Sequence, residues 1–178
     1  MNKLLLILFF LTICIYLAAD ELVTWVSLGE SWSLVSDKDK DMFRGKQIGL
    51  NGIRITENNM FFGGSIRYIE KGWIENDTYF RTNFFEALSK VGFAIHKIDF
   101  YPFLGIATTY VMNSSLPASE KFNLDIPISI GFDYISEWLF QNMGGVVISI
   151  DYNIGTRNLG KNYDFKYNSL NLSLGLRF

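Results

Sequence analysis

The chain has 178 residues, of which 19% are charged, and its formal net charge is −2. A single cysteine excludes a disulfide framework and a cysteine-built zinc site. The sequence has no cluster of basic residues that would indicate nucleic-acid binding. Its length is that of one domain.

The first residues show the pattern of a cleaved signal peptide. Lys3 gives a positive start, residues 4–17 form an apolar run, and Ala18 and Ala19 are small residues at which a peptidase can cut. The run is shorter than the ~20 residues of a spanning helix, which disfavours a retained anchor. Lipidation at Cys14 is disfavoured because Ile13 stands where a small residue is needed. We expect residues 1–19 to be removed and residues 20–178 to form the barrel domain described next.

Eight segments then alternate between apolar and other residues, which predicts strands and not helices. In chain order they cover residues 21–33, 47–56, 60–69, 84–95, 98–111, 122–134, 145–154 and 170–178. The facing of the first strand stays unassigned. In the second strand, regular alternation would place Ile48 and Ile53 on opposite faces. We therefore expect a bulge at Asn51 and Gly52 that restores the phase.

Strand lengths and connections predict a transmembrane barrel. Several segments exceed the ~5–6 residues of soluble strands and reach the ~9–11 that span a bilayer. Short and long connections alternate, as in barrels with short periplasmic turns and long outer loops. Aromatic residues near strand ends, among them Tyr68, Tyr110, Tyr134 and Tyr167, suggest interface girdles. We therefore predict an all-β, eight-stranded antiparallel up-and-down barrel in the bacterial outer membrane. Alternation alone leaves open a secreted soluble barrel with its apolar face inward.

If the apolar face meets lipid, nine charged residues face the lumen. They are Arg54, Arg67, Glu86, Lys90, Asp99, Asp125, Asp133, Asp151 and Arg177. Side chains can just fill an eight-stranded barrel, and unpaired buried charge is costly. We expect these residues to pair, Arg67 with Glu86 in particular, and Asp125 to lie opposite Asp151. A packed polar plug is favoured over a narrow polar route.

The sequence offers little for catalysis or metal binding. His96 is the only histidine and falls in the shortest turn, where a solvated residue is expected. DKDKD at 37–41 resembles the start of a calcium loop, but Met42 and Ile48 stand where that loop needs glycine and glutamate. We expect no enzyme, no catalytic residue, no metal site and no cofactor.

Four segments carry a resemblance to a known group of proteins. YPFLGIATTYV, IPISIGFDYISEWLF, GVVISIDYNIG and LNLSLGLRF resemble, in this order, the second half of small OmpW/OmpX/OmpA-type outer-membrane barrels. The resemblance covers residues 101–178 and extends to the N-terminal half only by layout. It implies that Leu172, Leu174, Leu176 and Phe178 form the signal read by the outer-membrane insertion machinery.

The resemblance implies two functions of different classes. The resemblance to OmpW-type barrels implies passive passage of small, hydrophobic molecules. The resemblance to OmpX-type barrels implies a structural or adhesive surface protein with a plugged lumen. The outer loops of such a protein meet a host surface, a partner or envelope lipid. A continuous lumen or a lateral gap would favour passage, whereas a filled lumen with ordered outer hairpins would favour the surface protein. A monomer in outer-membrane lipid, without nucleic acid as a partner, is expected in both cases.

Overall fold

The computed structural model describes residues 21–35, 41–115, 124–136, 144–156 and 166–178. The predicted signal peptide and most of the DKDKD segment lie outside these ranges. Within them the strands are β1 Glu21–Val35, β2 Asp41–Ile55, β3 Met60–Glu75, β4 Thr78–Phe93, β5 Phe100–Ser114, β6 Leu124–Asp125, β7 Ile128–Ser136, β8 Val146–Ile154 and β9 Tyr167–Arg177. No helix in the described part of the chain is long and apolar enough to cross a membrane.

The strands pair antiparallel around a closed ring. β1 pairs with both β2 and β9, and β4 pairs with β5. β6 and β7 both pair with β5 and are separated only by Ile126 and Pro127, so together they form one strand of an eight-stranded barrel. The Ala107 N–H donates to the Pro127 carbonyl at 2.9 Å, which continues the pairing across the break. The predicted closed antiparallel meander is confirmed.

The register shows that the strands are tilted. Paired residues followed around the ring from Tyr110 on β5 return to that strand at Phe100, ten residues away. A stagger of this kind goes with strand tilt, which is about 35–45° in outer-membrane barrels.

The outer face of the barrel is mostly apolar and much of its inner face is polar, as a membrane requires. Outward side chains are mostly large and apolar, and many are exposed, for example Leu28, Leu50, Ile66, Leu104, Ile130 and Leu174. Many inward side chains are polar or charged and buried, for example Ser27, Gln47, Arg67, Glu86, Ser129 and Asn171. This arrangement is the reverse of a soluble barrel and is that of an integral outer-membrane β-barrel.

The register of β2 corrects one prediction. Asn51 pairs with Trp25 and Ser65 in an unbroken ladder, so the predicted bulge at this point is wrong. Alternation therefore continues, and Ile53 and Ile55 turn inward. Register shifts occur instead between Met42 and Gln47 and between Asn83 and Phe84.

The segment KGWIENDTY, which lies between the predicted strands 60–69 and 84–95, is mostly strand. β3 and β4 each have 16 residues and are joined by Asn76 and Asp77 alone. Their φ angles of 48° and 60° are those of a type I′ hairpin turn. Because ~9–11 residues span a bilayer, this hairpin rises beyond it. We call the end of the barrel that carries this hairpin the outer end. The opposite, short-turn end carries the β2–β3 turn and the 3-10 turn His96–Ile98.

Candidate functional site in the barrel lumen

The lumen is built in three layers. At the short-turn end, twelve buried residues form an apolar cluster, namely Val23, Trp25, Ile53, Ile55, Phe61, Leu88, Ala94, Tyr101, Phe103, Ala107, Ile135 and Val147. Toward the outer end, a second cluster contains Ile69, Trp73, Phe84 and Tyr167. A layer of charged side chains lies between the two clusters.

Tyr167 departs from its prediction as a girdle residue. Its side chain is buried inside the barrel, and its ring lies 5.7 Å from Phe84 and 6.1 Å from Trp73. A tyrosine buries a large apolar ring, so it can close the end of a narrow lumen as well as mark an interface.

Arg67 forms the centre of the charged layer. Its Nε lies 2.5 Å from Glu86 Oε1, as the sequence led us to expect. Its Nη1 and Nη2 donate to the two carboxylate oxygens of Asp151 at 2.7 and 2.9 Å. β3 and β8 stand on opposite sides of the ring, so Arg67 links the two walls across the lumen. Forked arginine–carboxylate pairs combine strength with fixed geometry.

Further donors complete the coordination of the two carboxylates. Lys71 Nζ lies 3.4 Å from Glu86 Oε2, and Asn153 Nδ2 donates to the same oxygen at 3.4 Å. Asn171 Nδ2 donates to Asp151 Oδ2 at 2.7 Å. Lys71 is not among the predicted lumen residues, because it lies between the predicted strands 60–69 and 84–95. The alternation continues through Arg67, Ile69 and Lys71, and this is the signal in the sequence that indicates it.

Lys90 and Asp133 form a second ion pair, and both side chains are almost completely buried. The Lys90 ammonium lies 5.0 Å from the centre of the Trp25 ring and 4.7 Å from that of Phe103. These aromatic faces attract the cation and join the charged layer to the apolar cluster below it.

The charges of the layer balance. Arg67, Lys71 and Lys90 supply three cations, and Glu86, Asp133 and Asp151 supply three carboxylates. Each of these six groups contacts one of opposite sign. Removing one partner leaves an uncompensated buried charge, whereas the intact set is close to neutral.

Glycines on neighbouring strands give the long charged side chains room. Gly49 pairs with Arg67, and a Cβ at Gly49 would lie 3.0 Å from the Arg67 Cβ. Gly131 pairs with Asp151, where a Cβ would lie 2.8 Å from that of Asp151.

Asp125 lies apart from this layer, near the outer end. Its Oδ1 accepts hydrogen bonds from the Thr156 N–H at 3.3 Å and the Thr156 hydroxyl at 2.7 Å. The expected opposition of Asp125 and Asp151 is wrong, because the register places Gly131 opposite Asp151.

Three other predicted lumen residues lie elsewhere. Arg54 points outward, because it pairs with Leu22 and Phe62 on the lipid-facing side of an unbroken ladder. Asp99 follows the 3-10 turn in a left-handed conformation at the short-turn rim. Arg177 is in the inward phase but at the last position of β9, on the same rim and half-buried.

The charged layer leaves almost no free space. The cavity lined by Arg67, Lys90, Asp133 and Asp151 measures about 10 Å³. A cavity of ~10–15 Å³ holds one water molecule, so this space admits no larger solute. Among the described residues, no three histidine, cysteine or acidic side chains are grouped to hold a metal ion. His96 is exposed in its turn.

No protein-family model matches the chain, and no curated protein matches it at a significant level. Among solved structures, the crystal structure of Neisserial surface protein A (NspA) is 14% identical, with 88% of this chain and 95% of that chain covered and a TM-score of 0.51. The attachment invasion locus protein Ail of Yersinia pestis, crystallised with the heparin analogue sucrose octasulfate, is 16% identical, with coverages of 89% and 100% and a TM-score of 0.48. The backbone structure of Ail in a nanodisc is 19% identical, with the same coverages and a TM-score of 0.49. The fold of this small eight-stranded β-barrel is shared with NspA, and its apolar outer wall is that of an integral outer-membrane protein.

Proposed function

We propose that this protein is a structural or adhesive surface protein that acts through the outer ends of its strands, and not a route for solutes. The observation that carries the proposal is the filled lumen. Two apolar clusters enclose a charge-balanced layer, and the space within that layer is about 10 Å³.

Passage through the lumen would require the pairs of the charged layer to part. Arg67 would have to release Glu86 or Asp151, both of which are buried. Separating one buried partner costs about 3–5 kcal/mol. A lateral exit is also disfavoured, since the hydrogen bond from Ala107 to Pro127 keeps the β5–β7 seam paired. We propose no enzymatic activity, because the lumen charges are engaged with one another.

The outer end supplies a surface for contacts. The β3–β4 hairpin is ordered to its tip, and Trp73 stacks on Phe80 with ring centres 4.9 Å apart. Beside this stack, Tyr79 is 67% exposed. A surface that is already rigid loses less conformational freedom on binding, which favours recognition by the hairpin.

Adherence of bacteria displaying the protein tests this function. We compare the intact protein with a variant in which residues 74–79 are replaced by a two-residue turn, using surfaces coated with host extracellular matrix. We expect about tenfold fewer bound cells for the shortened hairpin, because it carries the proposed contact surface. Glu57→Ala, in the exposed short turn at the other end, is the matched control and should bind like the intact protein.

Heat-modifiable migration on gels verifies that each variant is folded. If cells with the intact protein adhere no better than cells without it, the adhesive function is wrong. If the shortened hairpin leaves adherence unchanged, the contact surface is wrongly placed.

A further inference from the structure

A cleft of about 380 Å³ opens near the outer end of β4 and β5. It is lined by Phe43, Tyr79, Arg81, Asn83, Asn113 and Ser115. Its floor is held by the β4–β5 ladder, in which Asn83 pairs with Asn113 and the Ser115 N–H donates to the Arg81 carbonyl at 2.9 Å. The volume falls within the ~300–1,000 Å³ typical of small-molecule sites.

The cleft lies at the height of lipid headgroups. Phe85 lies two residues from Asn83 along β4, on the side toward the membrane. It pairs with Tyr110, and both rings point outward and are exposed. Outward aromatic residues mark the interface in outer-membrane barrels. A ligand in the cleft would therefore sit just beyond the apolar band, beside the outer leaflet.

Arg81 is the charged group of the cleft. Its side chain is 60% exposed, and among the described residues the carboxylate that it approaches is that of Glu70, with Nη1 3.4 Å from Oε1. This contact steadies the side chain and leaves other guanidinium N–H groups for a ligand. A guanidinium prefers the oxygens of a phosphate or carboxylate.

Asn83 supplies the complementary group. Its Oδ1 is buried and has no hydrogen-bond partner among the residues that the structure describes. A buried acceptor without a donor costs about 1–3 kcal/mol, so a ligand that donates a hydrogen bond here is favoured. A hydroxyl group provides such a donor.

We propose that the cleft binds the phosphorylated saccharide headgroup of an outer-leaflet glycolipid. The phosphate pairs with Arg81, a sugar hydroxyl donates to Asn83 Oδ1, and the apolar side of the sugar ring lies against Tyr79. The site stands on the lipid-facing wall, which assigns the saccharide to a membrane lipid and not to a soluble glycan.

Native mass spectrometry of the refolded protein with bis-phosphorylated lipid A tests this assignment. We expect Arg81→Gln and Asn83→Leu each to weaken binding about tenfold, the factor for losing a hydrogen bond to a charged or buried group. Arg44→Gln is the matched control, since Arg44 also pairs with a glutamate, Glu30, on the outward wall but does not line the cleft. This control should bind like the unsubstituted protein. Asn83→Leu should fold normally because Asn83 Oδ1 has no hydrogen-bond partner among the described residues.

Two further ligands identify the chemistry and its source. Dephosphorylated lipid A should bind the unsubstituted protein as weakly as lipid A binds Arg81→Gln. The de-acylated, water-soluble bis-phosphorylated disaccharide should bind about tenfold more weakly than lipid A, because it gains no burial of acyl chains. Equal losses for Arg44→Gln and Arg81→Gln, or equal binding with and without phosphate, would overturn the proposal. Equal binding of the soluble disaccharide would overturn the membrane source.

Discussion

Glu86 is the most deeply buried carboxylate of the charged layer. It is completely buried and contacts Arg67, Lys71 and Asn153. Its charge offsets one of the three cations of the layer. Loss of the Glu86 charge would leave the charged layer with one cation in excess.

Glu86→Gln should lower the free energy of unfolding by about 3–5 kcal/mol, because it leaves one buried cation uncompensated. Adding Arg67→Met should recover part of that loss, since the double substitution restores charge balance. Urea titration of the refolded protein in lipid vesicles measures both. Glu30→Gln, which breaks an exposed ion pair, is the control and should change stability far less. A double-mutant cycle without coupling would contradict the bracing role of Arg67.

A substitution at Leu174 tests whether the outward face of β9 meets lipid. Leu174 is 60% exposed and lies between Leu172 and Leu176 on the outward side of β9. Leu174→Arg should destabilise the protein by about 2–4 kcal/mol, the cost of a cation facing lipid near the midplane. Thr78→Arg, in the exposed outer hairpin, should have little effect. Equal effects in vesicles would argue against a lipid-facing wall.

At residue scale, alternation predicted which side chains share a face, but not always which face it was. Ile48 and Ile53 do lie on opposite faces, yet no bulge separates them. The inside of the barrel is polar in its centre and apolar at the short-turn end, so polarity alone misplaced Arg54. The position of the inner apolar cluster depends on which strands meet, and this is not local information.

The β3–β4 hairpin contains strand structure that the alternation of the sequence does not predict. In KGWIENDTY the inward side chains change from the charged Lys71 to the apolar Trp73, so the segment lacks the regular alternation that marks a spanning strand. The turn residues Asn76 and Asp77, both with positive φ, were the remaining local signal. Lys71 was missed and Tyr167 misplaced for the same reason, since both lie near the outer ends of strands.

Substitution at Asp77 tests the hairpin. Asp77→Val should loosen it, because a β-branched residue at φ 60° is strained by about 1–2 kcal/mol. Asp77→Gly should keep it or tighten it. Limited proteolysis of vesicle-embedded protein should cut the valine variant faster than the glycine variant. Equal rates would show that the turn is not type I′.

A change at Phe178 tests the role of β9, the strand that pairs with β1 and closes the ring, in assembly of the barrel. The Phe178 N–H donates to the Thr24 carbonyl at 3.1 Å, and its ring is 73% exposed on the outward side. We predict that Leu172, Leu174, Leu176 and Phe178 guide assembly. Deleting Phe178 should reduce the amount of heat-modifiable barrel in the membrane, whereas Phe178→Trp should retain it. Unchanged assembly after deletion would contradict this role.

For the whole molecule, closure, strand number and the lipid-facing wall followed from the sequence because a membrane imposes one simple pattern on many residues. The partners inside the lumen depend on stagger around the ring. Five of the nine predicted lumen residues, Arg67, Glu86, Lys90, Asp133 and Asp151, lie in the charged layer, joined by Lys71. The three layers together fill the lumen, and this filled lumen is the basis of the proposed surface function.

Conductance across a planar bilayer tests the sealed lumen most directly. Refolded protein inserted into the bilayer should give no current steps above the protein-free baseline, because the lumen admits at most a single water in its charged layer. Glu86→Gln, which leaves the lumen charge unbalanced but no wider, should be equally silent. Stable, reproducible current steps from the unsubstituted protein would contradict the plugged barrel and restore passage as the function.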